Sequence, residues 1–269
     1  MVNKILISHE VPVNFLYESR QFNDYDYALP HLLDSDSQYR EYFINSKREG
    51  RYIIMDNSLH ELGSAYDNER LVYWINELEP NEFIVPDVWE EHSSTLYNAK
   101  EWKQYQKDGI ISSNTKLVAV AQGKTHSDIL TCAWILVNNY DYQKISLSYG
   151  ASAYNEIFPH PNPYIGKMLG RIYTVSKLAE EEWIKSVKLH LLGCALPQEF
   201  SYYNDPKFNF IESLDTSNPV IHGIMGINYE EYGLNKKLSV KIDTIKEIKN
   251  KEIVYNNIEK FRKLLTYYS

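Results

Sequence analysis

The sequence predicts an α/β chain: a (β/α)8 barrel of the TIM type, one domain spanning residues 1–269. Three observations predict it. Short apolar runs alternate with longer amphipathic stretches along the chain. The apolar runs are near-continuous, as in strands covered on both faces. Steady alternation of the two calls for parallel strands joined by helical crossovers, and seven or eight such units in 269 residues is the size of this barrel.

The strands, in order, are "KILISH" (4–9), "YIIMDN" (52–57), "EFIVPD" (82–87), "KLVAVAQG" (116–123), "KISLSYG" (144–150), "KLHLLGC" (188–194) and "FIESLD" (210–215), with "VIHGIMG" (220–226) as the eighth. Each is short, rich in aliphatic residues and bounded by polar ones. Between them, "NERLVYWINEL" (68–78) sets Leu71, Trp74, Ile75 and Leu78 at helical spacing. "SSTLYNAKEWKQYQ" (93–106) lines up Leu96, Ala99 and Trp102, with Ser93 as N-cap. "SDILTCAWILVNN" (127–139) reads as a buried helix. "PYIGKMLGRIYTVSKLAEEEWIKS" (163–186) reads as a long one that opens on Pro163. "NNIEKFRKLLTYY" (256–268) closes the chain. The lysine-rich segment 226–253 reads as an insertion before it. An open doubly wound sheet is the runner-up; no glycine fingerprint follows the first strand, which counts against a dinucleotide fold.

A net charge of -8 argues against a generally basic nucleic-acid coat. Local groups remain: Lys47, Arg48 and Arg51; Lys167 and Arg171; Lys236, Lys237 and Lys241. No apolar run reaches the length of a membrane span, and the opening residues lack the apolar core of a signal peptide. Cys132 and Cys194 make neither a disulfide framework nor a cysteine-rich zinc site. The expectation is a cytoplasmic protein with no membrane partner.

In a parallel barrel the active site lies at the carboxyl ends of the strands. Those ends carry His9, Asp56, Asp87, Gln122 with Gly123, Ser148 with Tyr149 and Gly150, Cys194, and Asp215. Taken singly, an Asp there is more often the cap of the next helix, His9 a core residue and Cys194 a small apolar one. Three acids and an amide gathered at one mouth are harder to explain by structure alone, because crowded acids repel. No metal-binding pattern of histidines is present. Glycosyl chemistry needs two carboxylates, one to attack the anomeric carbon and one to move a proton. A purine adds a need for an acid and an amide that read its edge.

At this point the residues carry a family resemblance. "HLLGCALPQEF" (190–200) and "IESLDTSNP" (211–219) resemble the nucleophile region of tRNA-guanine transglycosylases: Leu192, Gly193 and Pro197 match its first part, and Leu214, Asp215 and Pro219 its second. "YIIMDNSLHELG" (52–63) is similar to the family's general-base strand and implies that role for Asp56. "FIVPDVWEE" (83–91) resembles the segment bearing a base-reading aspartate, here Asp87. "LVAVAQGKT" (117–125) resembles the Val-Gln-Gly stretch, here Gln122 and Gly123. "ISLSYG" (145–150) falls where the family's backbone meets the base, here Ser148 and Tyr149.

The chain also departs from that pattern. The family's three-cysteine, one-histidine zinc motif does not follow Asp215, so the expectation is a barrel without the zinc-binding subdomain and without a bound metal or cofactor. Ser58 and Leu59 stand where the family has paired glycines, and His60 where it has a stacking aromatic. Val220 and Ile221 replace the arginines that hold tRNA. The departures are in keeping with the phage-type relatives that exchange guanine in DNA for a 7-deazaguanine.

The resemblance implies a covalent mechanism in which Asp215 attacks C1′ and expels guanine, and Asp56 deprotonates an incoming 7-deazaguanine. Asp87, Gln122, Gly123, Ser148 and Tyr149 would hold the base, with His60 and Leu192 stacking on its faces. The implied partners are DNA or tRNA, the free base and a second copy of the chain in a homodimer; for a phage protein the compartment is the host cytoplasm. The rivals are a tRNA-guanine transglycosylase proper, a nucleoside or glycoside hydrolase built on the same two acids, and a non-catalytic subunit of a transglycosylase pair.

Overall fold

The computed structural model describes residues 4–229 and 233–265. Its eight strands are β1 (Leu6–His9), β2 (Asp26–Ala28), β3 (Ile53–Met55), β4 (Glu82–Ile84), β5 (Lys116–Val120), β6 (Lys144–Ser148), β7 (Lys188–Leu192) and β8 (Ile211–Thr216). They form one sheet in the order β1-β8-β7-β6-β5-β4-β3-β2. The registered pairings are parallel, and helices alternate with the strands. The chain is an α/β protein of the (β/α)8 TIM type. Its contacts divide it into two compact units, residues 25–147 and residues 1–24 with 148–269.

In the unit 25–147, β2, β3 and β4 are buried along their whole length, as strands covered on both faces must be. Phe83 of β4 packs against the buried Trp102 of helix His92–Lys107, ring centroids 4.9 Å apart. The buried charges that open β2, β4 and β6 are paired. Lys144 Nζ lies 2.6 Å from Glu82 Oε2, and the Tyr52 hydroxyl donates to Glu82 Oε1 at 2.7 Å. Asp26 takes both Arg51 and the hydroxyl of Tyr42. Helix Asn68–Leu78 is capped by the Asp67 side chain, and helix His126–Asn138 by a Thr125–Asp128 capping box.

In the other unit, β7, β8 and β1 pair side by side. Helix Lys251–Leu264 is fastened by Arg262, which bonds Asp24 and the carbonyl of Phe22. Helix Asn218–Ile224 crosses it at Gly223, where a Cβ would stand 2.5 Å from the Val254 Cα. Helix Pro163–Glu180 meets helix Ser152–Ile157 in the same way, at Gly170 against Tyr154.

The structure departs from the expectations at specific places. The run 220–226 is not a strand: Asn218–Ile224 is helical, opened by Pro219 in its first turn. The missed strand is β2, three residues long, too short to show a period and followed two residues on by Pro30. The long helix stops at Glu180, and Glu182–Ser186 forms a separate 3-10 turn. Helix His92–Lys107 starts one residue ahead of Ser93, which sits inside its first turn. The final helix starts at Lys251, so the insertion of 226–253 is shorter by its last residues. Residues 230–232 of that segment and 266–268 of the expected helix lie outside the described residues.

Gly223→Ala is expected to destabilise the protein by about 1–3 kcal/mol, because backbone opposes backbone and neither can yield. A urea midpoint that does not fall would contradict this packing.

Candidate active site

In the unit 1–24 with 148–269, Asp215 is the fifth residue of β8 and is buried. The β7–β8 register slips by one residue, with Glu212 as the extra residue between Ile211 and Ser213. The slip sets His190 opposite Ser213. The alternation of strand side chains then puts Ser213 and Asp215 on one face. His190 Nδ1 lies 2.8 Å from Ser213 Oγ, and its Nε2 lies 3.1 Å from Asp215 Oδ1. The Gly193 N–H donates to the same Oδ1 at 3.3 Å. An ionised Asp215 offers only acceptors, so Nε2 donates to it, and in the neutral ring Nδ1 accepts from Ser213.

Gly193 has φ +62, a conformation open to glycine, and its Cα face lies under Tyr149, whose Cδ1 would stand 2.5 Å from a Cβ there. The Tyr149 N–H donates to the carbonyl of Leu192 at 3.1 Å, which ties Tyr149 to the end of β7. Ser148 ends β6 and is buried. Arg171 is fully buried, bidentate on Glu199, and donates to the carbonyls of Leu192 and Gly193, each at 2.9 Å. Burial would lower its pKa, but the Glu199 carboxylate holds it above the usual value. Arg171 therefore shapes the backbone around Asp215 and is not a surface cation, contrary to the expected basic group with Lys167.

In the unit 25–147, Asp56 follows β3 and its Oδ2 accepts from the N–H of Ser58 at 3.0 Å. Ser58 has φ +62 and its hydroxyl lies 2.8 Å from His31 Nδ1. Asp87 lies beyond β4 and takes one amide donor on each oxygen: Asn57 on Oδ1 at 2.8 Å and Gln122 on Oδ2 at 2.6 Å. Burial pushes the Asp87 carboxyl up to about 6, against the pull of Gln122 and Asn57. The Gln122 carbonyl oxygen is held by the N–H of Glu90 at 3.1 Å. Gly123 lets the chain pass the next helix, since a Cβ would meet Asp128 at 2.4 Å. His60 is exposed on the short turn Leu59–Leu62.

Asp56, Asp87, Gln122 and Gly123 thus belong to one neighbourhood, with His60 on the turn that follows Asp56. Asp215, Leu192, Ser148 and Tyr149 belong to the other. Sequence reasoning missed His190, Ser213 and Asn57. Their signal was a polar residue inside an apolar strand, "KLHLL" and "ESLD", or directly beside a chosen acid.

His9 is a core residue of an unusual kind. Both ring nitrogens lack a partner, and Phe22 and Phe261 pack edge-on against it. Burial first, and Arg262 second, lower its pKa to about 3, so the ring stays neutral. Cys194 is buried and its thiol is pushed up by that burial. Of the other basic candidates, Arg51 is spent on Asp26 and Lys47 on Glu79. Among the described residues no group of His, Cys, Asp and Glu is placed to hold a metal ion, and no helix is long and apolar enough to cross a membrane.

No protein-family model matches the chain, and a search of curated proteins gives no match.

Asp87 has a folded pKa raised from 3.8 to about 6. Its neutral form therefore contributes stability that is full below pH 3.8 and is lost as pH rises through 6. The unfolding free energy of the wild type, relative to Asp87→Asn, is expected to fall by roughly 2–3 kcal/mol between pH 4 and pH 7. Urea unfolding at the two pH values measures this; an equal difference at both would contradict it.

Proposed function

We propose that the protein is a base-exchange glycosyltransferase that replaces guanine in DNA with a 7-deazaguanine, acting in the cytoplasm. The observation that carries the proposal is the Asp215 carboxylate. It is buried, and the donors His190 and Gly193 both fall on Oδ1. That arrangement fixes the carboxylate and leaves Oδ2 to act as a nucleophile.

In the first step Oδ2 attacks C1′ of the target nucleotide. The C1′–N9 bond breaks, its electron pair leaves with guanine, which takes up a proton from water, and a glycosyl ester of Asp215 remains; the proton that Asp56 takes in the next step returns to water. In the second step Asp56 takes the proton from the ring nitrogen of the incoming base. That nitrogen attacks C1′, the ester bond breaks and the carboxylate of Asp215 is restored. Two inversions return the original configuration. The target base must leave the duplex for this chemistry, which favours a flipped or single-stranded nucleotide.

Asp87 and Gln122 supply what a guanine edge requires, a carboxyl and an amide tied into one hydrogen-bond network. With a pKa near 6, Asp87 is mostly ionised at neutral pH and accepts from the base N–H groups. His190 is a positioning residue: it holds Oδ1 and so aims Oδ2.

The proposal is tested by trapping the ester on guanine-containing DNA and weighing the intact protein. Wild type is expected to gain the mass of the DNA, and Asp215→Ala none. Asp56→Asn is expected to form the ester and accumulate it. His190→Ala should slow ester formation by about 10–100-fold, the cost of one hydrogen bond to a charged group. His190→Gln, which keeps an N–H in reach, should restore most of the rate. An ester that survives Asp215→Ala would remove the nucleophile and the proposal with it.

A further inference from the structure

On the footing of base exchange at Asp215, we propose that residues 233–241 form a strap that binds the phosphodiester backbone of single-stranded DNA beside the attacked nucleotide. The strap has no regular structure of its own, yet it is fastened at three places in its unit. Gln198 and Leu234 bond in both directions, Nε2 to carbonyl at 2.7 Å and N–H to Oε1 at 3.3 Å. The Asn235 carbonyl accepts from Asn162, the residue that caps helix Pro163–Glu180. Lys237 Nζ stands 3.6 Å from the centre of the Tyr149 ring.

That last contact places the strap relative to Asp215. The Tyr149 ring lies on the Cα face of Gly193, and the Gly193 N–H donates to Asp215 Oδ1. A cation on Lys237 is therefore one ring and one peptide away from the carboxylate. Lys236 and Lys241 are exposed along the same strap. Among the described residues none of the three has a carboxylate partner, whereas Lys47, Arg51, Lys144, Arg171 and Arg262 all do.

The charge balance points the same way. Residues 233–251 hold six lysines and two acids in a chain whose net charge is -8. Glu230 and Glu231 precede the strap in the sequence and lie outside the described residues. A polyanion is repelled by most of such a surface and is drawn to a local positive segment. Lysines contact phosphate as point charges, so the strap would grip the backbone without reading sequence.

The test is the salt dependence of binding to a fluorescein-labelled single-stranded DNA, read by anisotropy between about 50 and 200 mM salt. Lys236→Gln/Lys237→Gln/Lys241→Gln is expected to lower the slope of log affinity against log salt by about 2, since each phosphate that a lysine neutralises on a single strand adds about 0.7. Over that fourfold range of salt, the salt-induced drop in affinity should shrink by roughly 10–20-fold. Lys100→Gln/Lys107→Gln, on exposed lysines of helix His92–Lys107, should leave the slope as it is. In turnover the triple variant should raise KM for DNA by a larger factor than it lowers kcat. A triple variant with the wild-type slope would overturn the strap, and ester formation on Asp215 would still stand by itself. A lysine-dependent slope without any ester would keep the strap and overturn base exchange. Displacement of the DNA by inorganic phosphate at equal concentration would reduce the strap to a simple anion site and overturn it as a backbone clamp.

Discussion

A carboxylate taken out of water has to be given donors, and that requirement organises both units of the chain. Asp215 is answered by an imidazole and a backbone N–H, and Asp87 by two side-chain amides. The two answers have different consequences. Both donors to Asp215 meet one oxygen, so the other keeps its lone pairs. The donors to Asp87 are divided between its oxygens, so the group is fixed in orientation while burial still raises its pKa to about 6.

The surroundings of Asp215 show how much structure stands behind one hydrogen bond. The slip at Glu212 brings His190 opposite Ser213. An ionised Asp215 then takes the N–H of His190 Nε2, with the Ser213 hydroxyl beside Nδ1. On the other side Arg171, neutralised by Glu199, holds the carbonyls of Leu192 and Gly193 and so turns the Gly193 N–H toward the acid. A buried ion pair of this kind contributes little net stability. Its worth here is geometric, because removing either partner would free the peptide that faces Asp215.

Much of this was legible in the sequence. The strands at Leu6, Ile53, Leu117 and Ile145 stood out because a parallel strand is buried on both faces and reads as one aliphatic run. The acids at 56, 87 and 215 stood out because each broke such a run at its end. Other parts were hidden for physical reasons. Three residues of β2 are too few to show a period. The run at 220–226 has strand-like composition, but Pro219 in a first turn favours helix. His190 looked like one polar residue in a strand, since its meaning comes from a register slip on another strand. Arg171 looked like a solvated cation because its partner, Glu199, lies 28 positions away. The chemistry assigned to the acids rests on the family resemblance in "HLLGCALPQEF" and "IESLDTSNP" together with the geometry at Asp215.

The most direct measurement is an exchange assay with radiolabelled guanine, offered with guanine-containing DNA and with tRNA in parallel. Base exchange at Asp215 predicts label entering DNA, and no incorporation by Asp215→Ala. Release of base without incorporation, or label entering only tRNA, would contradict it.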